Sequence, residues 1–348
     1  MRIATQLDYS KGWRASVEQA VALEAAGLDS IWVAEVYGFD AVSLMGYLAA
    51  RTETVEIGSA IIPIYSRTPA LIAMTAAGLD ALTEGRFHLG LGASGPQVIE
   101  GWHGVPYTAP VTRTRETIEV CRAIWRRERV TYDGRTITLP LPEDQGTGLG
   151  KPLKLITEPV REHIPIWVAS LGPSNVQMTA EVADGWIPTL FIPERADDVW
   201  GEPLAKGRAA RSPDLGDLRI LAGGLTAVGE GEDVRAMRDL ARHLIALYVG
   251  GMGSRDQNFY NDLVSRYGYE QEAARVQNLY LDGKKHEAAE ALPAELVEAL
   301  TLCGPEGYVR DRLAAYEAAG VTDLLVLPAP VGDQTPQDVI RTVRSLAG

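Results

Sequence analysis

The chain of 348 residues carries 46 acidic against 33 basic side chains, a formal net charge of −13, with 46% hydrophobic and 23% charged residues. That length admits one large core or two ordinary domains, and the composition is that of a globular chain rather than a disordered or fibrous one. The acidity argues against a nucleic-acid partner, which would call for a basic stripe, and no apolar run reaches the ~20 residues of a membrane helix.

In chain order, Met1 leads directly into a strand-like segment without the basic, apolar and small-residue sequence of a secretion signal, so a cytoplasmic location is expected. Residues 2–8 read as a strand and 13–27 as a helix, in which Val17, Ala20, Val21 and Leu23 recur at helical period before Gly27 ends the run. The unit repeats as strand 30–35 with helix 41–52 and strand 55–62 with helix 69–83. Further strands are expected at 86–92, 164–170, 185–190, 218–228 and 322–329, with helical material at 95–102 and 113–128. Most of these strands are unbroken apolar runs, as parallel strands covered on both faces are. Eight strands, each followed by helix, predict an α/β fold: a (β/α)8 TIM barrel making one domain over 1–348. A doubly wound open sheet is the alternative, because strand order is not written in the sequence.

Two stretches break the rhythm. Residues 130–139 alternate apolar and polar positions around Asp133-Gly134, which predicts an antiparallel hairpin outside the barrel. Residues 250–302 are helical in period and rich in Tyr, Arg and Asn, an insertion after the seventh strand that would lie by the barrel mouth. Arg255, Tyr260, Arg266 and Tyr267 could there meet an anionic tail and a flat ring, or simply pack the inserted helices. Cys121 and Cys303 lack metal or redox spacing and read as buried thiols.

Gly90-Leu-Gly92-Ala-Ser-Gly95 matches the dinucleotide-binding glycine pattern, but its context does not. Pro96 follows the last glycine, and the acidic residue expected about 20 positions on falls on Glu116 inside a helical run. The glycines are better read as letting a flat ring approach a strand end where no Cβ intervenes.

Taken together, segments 25–35, 55–104, 164–189 and 303–328 resemble the bacterial luciferase-like flavin/deazaflavin barrel superfamily. Within it the chain is most similar to oxidoreductases that use the deazaflavin coenzyme F420, including methylenetetrahydromethanopterin reductase and F420-dependent glucose-6-phosphate dehydrogenase. The resemblance implies hydride transfer between F420 and a small organic substrate, in a homodimer or higher homo-oligomer, without membrane or nucleic acid. FMN-dependent monooxygenation with O2 is the alternative, and a non-catalytic cofactor-binding barrel a second. The resemblance further implies a non-proline cis peptide behind the ring at Ala60-Ile61, and Gly92, Ala93 and Ser94 under the ring. Gln97 and Val98 would lie on a loop touching it. Ala169, Ser170, Leu171 and Gly172 would receive the polar tail, with a helix opening at Pro173, and Gly185 and Thr189 would mark the sixth strand's end. Where relatives carry Asp-His after the second strand, this chain has Glu35-Val36, and Gly95 and Pro63 replace a glutamate and a threonine of the sugar-phosphate enzyme, so glucose 6-phosphate is not the expected substrate.

Glu35, at a strand's C-terminal end, is the first candidate for general acid and base, and His103 beside Trp102 the second. Gln6 and Asp8 would reach the same mouth, unless Asp8 caps the following helix. Five scattered histidines and no ligand cluster predict no metal site.

Overall fold

The computed structural model describes residues 1–10 and 12–348. Strand β1 (Arg2–Gln6) is followed by α1 (Trp13–Ala25), β2 (Ser30–Val33), α2 (Ala41–Ala49), β3 (Glu56–Ser59), β4 (Ile62–Pro63) and α3 (Pro69–Leu82). Next come β5 (Phe87–Gly92), α4 (Pro96–Gly101), α5 (Pro110–Trp125), the hairpin β6 (Tyr132–Asp133) and β7 (Thr138–Leu139), β8 (Ile166–Ala169), α6 (Pro173–Val182), β9 (Gly185–Ile187) and α7 (Ala196–Ala209). The chain continues through β10 (Arg219–Val228), α8 (Glu232–Ala246), α9 (Phe259–Arg266), α10 (Glu270–Leu281), α11 (Lys285–Glu290), α12 (Ala294–Ala299), β11 (Leu302–Gly304), α13 (Glu306–Ala318), β12 (Asp323–Pro328) and α14 (Pro336–Leu346).

Strands β1, β2, β3, β5, β8, β9, β10 and β12 pair in that order, all parallel, and β12 returns to β1. The sheet therefore closes into the eight-stranded barrel, and the open-sheet alternative is excluded. Local signals set the helix starts: Asp40 accepts a hydrogen bond from the Ser43 amide at the head of α2, and Thr68 caps α3 just before Pro69. The hairpin forms where expected, with Tyr132 opposite Leu139. Its turn is held by buried Glu116, which accepts from the amides of Arg135 and Thr136. Both cysteines are buried free thiols.

The barrel interior is filled in layers. Ala4, Trp32, Trp167 and Leu221 form one cluster, and two glycines make room for its indoles. A Cβ on Gly58 would stand 2.4 Å from the Trp32 ring, and one on Gly185 would stand 2.1 Å from the Trp167 ring. Gly185 is thus a packing glycine at the start of β9, not a marker of the strand's functional end. Beneath the indoles, at the strands' N-terminal ends, the Trp167 Nε1–H donates to His88 Nδ1 at 2.8 Å, and His88 Nε2 lies 3.2 Å from Glu56. Arg219 pairs with Asp323 and lies over the Trp167 ring. This polar layer closes the lower end and leaves chemistry to the upper one.

The helical insertion is longer than the sequence period indicates. Val228 at the end of β10 pairs with Gly304 of β11, and the Gly229 amide donates to the Gly304 carbonyl at 2.9 Å. Everything between them hangs from the C-terminal end of β10, so α8 belongs to the insertion.

Candidate active site

Because β3, β5, β8 and β9 are successive barrel neighbours, their C-terminal ends form one continuous arc of the mouth. The Ala60–Ile61 peptide is cis, at the end of β3. Gly92 pairs with Ala169 and with Pro63, and Ala169 pairs with Ile187, so the strand-end residues singled out in the sequence do meet.

The three glycines of the dinucleotide-like motif have separate tasks. A Cβ on Gly90 would fall 1.7 Å from the Ser59 carbonyl oxygen. The Ser59 hydroxyl bonds both the amide and the carbonyl of Gly90, replacing ladder bonds between β3 and β5. A Cβ on Gly92 would lie 2.8 Å from Ile61 Cγ1, so what Gly92 admits is the Ile61 side chain, which then forms the surface there. Gly95 opens α4, and a Cβ there would meet nothing within 4 Å. Ala93 is buried, and Ser94 adopts φ 58°, a left-handed conformation uncommon for a residue with a side chain. Tyr107, unnoticed in the sequence, donates its hydroxyl to the Ser94 carbonyl at 3.3 Å. Burial and the neighbouring Tyr65 push the Tyr107 phenol up to about 12, so it remains a donor. Gln97 and Val98 lie in the first turn of α4 and not on a loop.

Past β8, the expected tail-binding residues divide. The Ser170 hydroxyl is buried and paired with Thr179 Oγ1 at 2.9 Å, which removes it as a ready ligand. The carbonyls of Ser170 and Leu171 each accept an indole N–H, from Trp186 and Trp200, both at 2.9 Å. These indoles fix the loop that leads to Gly172, where a Cβ would meet open space. Gly172 precedes Pro173 at the head of α6 with no side-chain cap, which leaves first-turn amides for an anion. In the same turn, Asn175 Oδ1 is buried without a partner. Thr189 follows β9, beside Leu190 at φ 54°.

Glu35 sits at the end of β2 as expected, but both of its oxygens are engaged. The Arg67 guanidinium grips Oε1 and Oε2, the second at 2.8 Å, and the Ala41 amide donates to Oε2 at 2.9 Å. The two side chains are 7% and 15% exposed. A proton on Glu35 would displace one of these bonds, so the geometry argues for an anchor of the β2–α2 loop rather than a general acid. His103 differs: its Nε2 is buried and has no hydrogen-bond partner. Asp8 accepts from the amide and hydroxyl of Ser10, while α1 follows its N-cap Gly12 without a side-chain cap, so Asp8 closes its own turn. Gln6 is exposed at the end of β1.

Three of the four insertion residues are engaged in packing, and the exposed Arg255 makes a surface hydrogen bond. Tyr267 donates to the Leu190 carbonyl at 3.0 Å, and Arg266 binds the Val199 carbonyl. Arg255 bonds Asn278, and Tyr260 packs edge-on against Tyr248 with centroids 4.8 Å apart. They dock the insertion on the loop after β9, on α7 and on itself. Among the described residues, no group of three or more His, Cys, Asp or Glu is placed to hold a metal ion, and no helix is long and apolar enough to cross a membrane.

The chain is thus a closed parallel (β/α)8 barrel with a non-proline cis peptide at its mouth. The chain belongs to the luciferase-like monooxygenase family, whose model matches residues 1–323. A Mycobacterium tuberculosis protein described as a coenzyme F420-dependent oxidoreductase is 40% identical over 94% of both chains. The 5,10-methylenetetrahydromethanopterin reductase of Archaeoglobus fulgidus is 26% identical, covering 91% of this chain and 90% of its own. Among solved structures, the coenzyme F420-dependent tetrahydromethanopterin reductase of Methanopyrus kandleri superposes with a TM-score of 0.80 at 20% identity, over 98% of this chain and 96% of that one.

Proposed function

We propose that this protein is a coenzyme F420-dependent oxidoreductase that transfers hydride between the deazaflavin and a small organic substrate at the barrel mouth. The observation that carries the reading is the 40% identity, across nearly the full length of both chains, to the M. tuberculosis protein described as a coenzyme F420-dependent oxidoreductase. The arc fits the group: the Ile61 side chain seated against Gly92 offers an apolar wall, and the uncapped head of α6, with open space at Gly172, suits a phosphate-bearing tail. When bound, the reduced deazaflavin supplies a hydride, two electrons together, from the carbon that replaces flavin N5.

The chain's own residues do the positioning. Tyr107 fixes the Ser94 carbonyl, Trp186 and Trp200 hold the loop ahead of α6, and the Glu35–Arg67 pair anchors the loop after β2. His103 Nε2, without a protein partner, is the candidate atom for holding or delivering the proton that accompanies reduction.

The test is titration of the purified protein with oxidised F420 and, separately, with FMN, followed by oxygen uptake with each reduced form. The expected result is F420 binding at least about 10-fold tighter than FMN, a difference of about 1.4 kcal/mol, and no oxygen consumption. Tighter FMN binding with oxygen uptake would overturn the proposal in favour of a flavin monooxygenase.

A further inference from the structure

The rim beside this arc exposes apolar surface that the fold itself does not require. Val36, Tyr37 and Phe39 follow β2, and Trp102 follows α4; they are 42%, 62%, 55% and 67% exposed. Large apolar side chains scattered singly over a surface need no explanation, but four on two rim loops that touch form a patch of the kind that marks binding. Strand β3 lies between β2 and β5 in the barrel, and the Tyr37 and Trp102 rings approach to 6.3 Å. The two loops therefore meet at the end of the strand that leads into Ala60–Ile61. On the far side of the first loop, Tyr9 stacks on Phe39 at 5.8 Å with ring planes 14° apart, and its hydroxyl donates to the Ala34 carbonyl. The wall is thus braced from behind.

The charges on these loops disfavour an anion. The Arg67 cation is neutralised by Glu35, while Arg113 at the head of α5, over the Tyr65 ring, keeps its charge and is outnumbered by the acidic side chains around the rim. Asp8 and Asp40 on the neighbouring turns and Glu100 in α4 are acidic. A negatively charged substrate would meet repulsion here, whereas a flat apolar one would meet ring faces and edges.

We infer that the substrate of the site described above is a neutral, flat, largely apolar organic molecule, held against Tyr37, Phe39 and Trp102. The inference rests on the F420 reading of that site. Its test uses two probes that share a ring system and differ in charge, 2-acetylnaphthalene and 2-naphthoate, in equilibrium dialysis against the F420-loaded protein.

The neutral ketone should bind at least about 10-fold tighter than the carboxylate, an electrostatic and desolvation preference. Trp102→Ala and Tyr37→Ala should each weaken ketone binding about 5-fold or more, as loss of an aromatic contact face does. Trp102→Phe should recover most of it. Both side chains are more than half exposed, so melting temperature and F420 affinity should match wild type. Equal or tighter binding of naphthoate, or ketone binding unchanged in both alanine variants, would overturn the inference while leaving F420 binding standing. Failure of the wild type to bind F420 would instead overturn the cofactor reading, and this inference with it.

Discussion

Replacing Arg67 by alanine tests whether Glu35 is an anchor or an acid. In the wild type the Glu35 carboxylate receives the guanidinium on both oxygens and the Ala41 amide on Oε2, at 7% side-chain exposure. Without Arg67 only the amide remains, and a nearly buried charge is left with a single donor. Breaking such a pair costs about 3–5 kcal/mol, and the low end is expected, because the site borders the mouth and water can enter the vacated space. With an unfolding entropy of about 2.1 cal/mol/K per residue, about 3 kcal/mol lowers the melting temperature of a chain this size by about 4 °C. Glu35→Gln still accepts from the Ala41 amide and should cost less, about 1–2 kcal/mol. The double variant should cost clearly less than the sum of the two, with a coupling of about 1.5 kcal/mol or more. The assay is thermal and urea denaturation of the four proteins, with F420 affinity measured alongside. An Arg67→Ala cost under about 1 kcal/mol, with additive effects, would refute the anchor reasoning. So would a loss of turnover of 100-fold or more in Glu35→Gln with F420 binding intact, the signature of a missing general acid.

Two further predictions concern the arc and the lower end. Gly92→Val should weaken F420 binding at least about 10-fold, because its Cβ lands 2.8 Å from Ile61 and must displace that wall; Gly95→Ala, whose Cβ meets no protein atom within 4 Å, should melt like wild type, and wild-type F420 binding by Gly92→Val would place the ring elsewhere. Asp184 gives a pH signature: burial raises its carboxyl, but bonds from His163 and the Ile166 amide, with Arg122 nearby, outweigh this and hold it below the ordinary value. A depressed folded-state value stabilises the fold above the unfolded value of about 3.9 and loses that contribution as pH falls through the folded value. The stability gap between wild type and Asp184→Asn, from urea midpoints, should therefore be full at pH 7 and shrink below about pH 4, and a gap constant down to pH 3 would contradict the assignment.

Much of the barrel was legible because its strands are continuous apolar runs, and period alone distinguishes them from the amphipathic helices between. What period could not show is which partner an element takes. Helix α8 has the pattern of any helix following a barrel strand, and only the pairing of Val228 with Gly304 shows that it belongs to the insertion. Glu35 was visible as a carboxylate at a strand end, but Arg67, 32 residues later, was not visible as its partner. The same limit applied to Ser170, a hydroxyl in the right place whose hydrogen bond to Thr179 is already made.

The glycines carry this argument furthest. A glycine in a strand announces that something comes close to the backbone, without saying what. In the sequence, the natural reading of Gly92 was bare backbone under a ring. In the structure, Gly58 and Gly185 receive the indoles of Trp32 and Trp167, Gly90 receives the Ser59 carbonyl, and Gly92 receives Ile61. All four close approaches are therefore filled from within the chain, two of them by the barrel's interior layer and two by the segment that leads through Ala60–Ile61. The surface offered at the mouth is a packed isoleucine rather than a gap. At Gly95 and Gly172, each at the head of a helix, a Cβ would by contrast meet no protein atom within 4 Å. That division separates the stability of the barrel from the fit of its ligand, because a residue added at either helix head meets no protein atom within 4 Å and so changes what the mouth can hold without disturbing the packing beneath it.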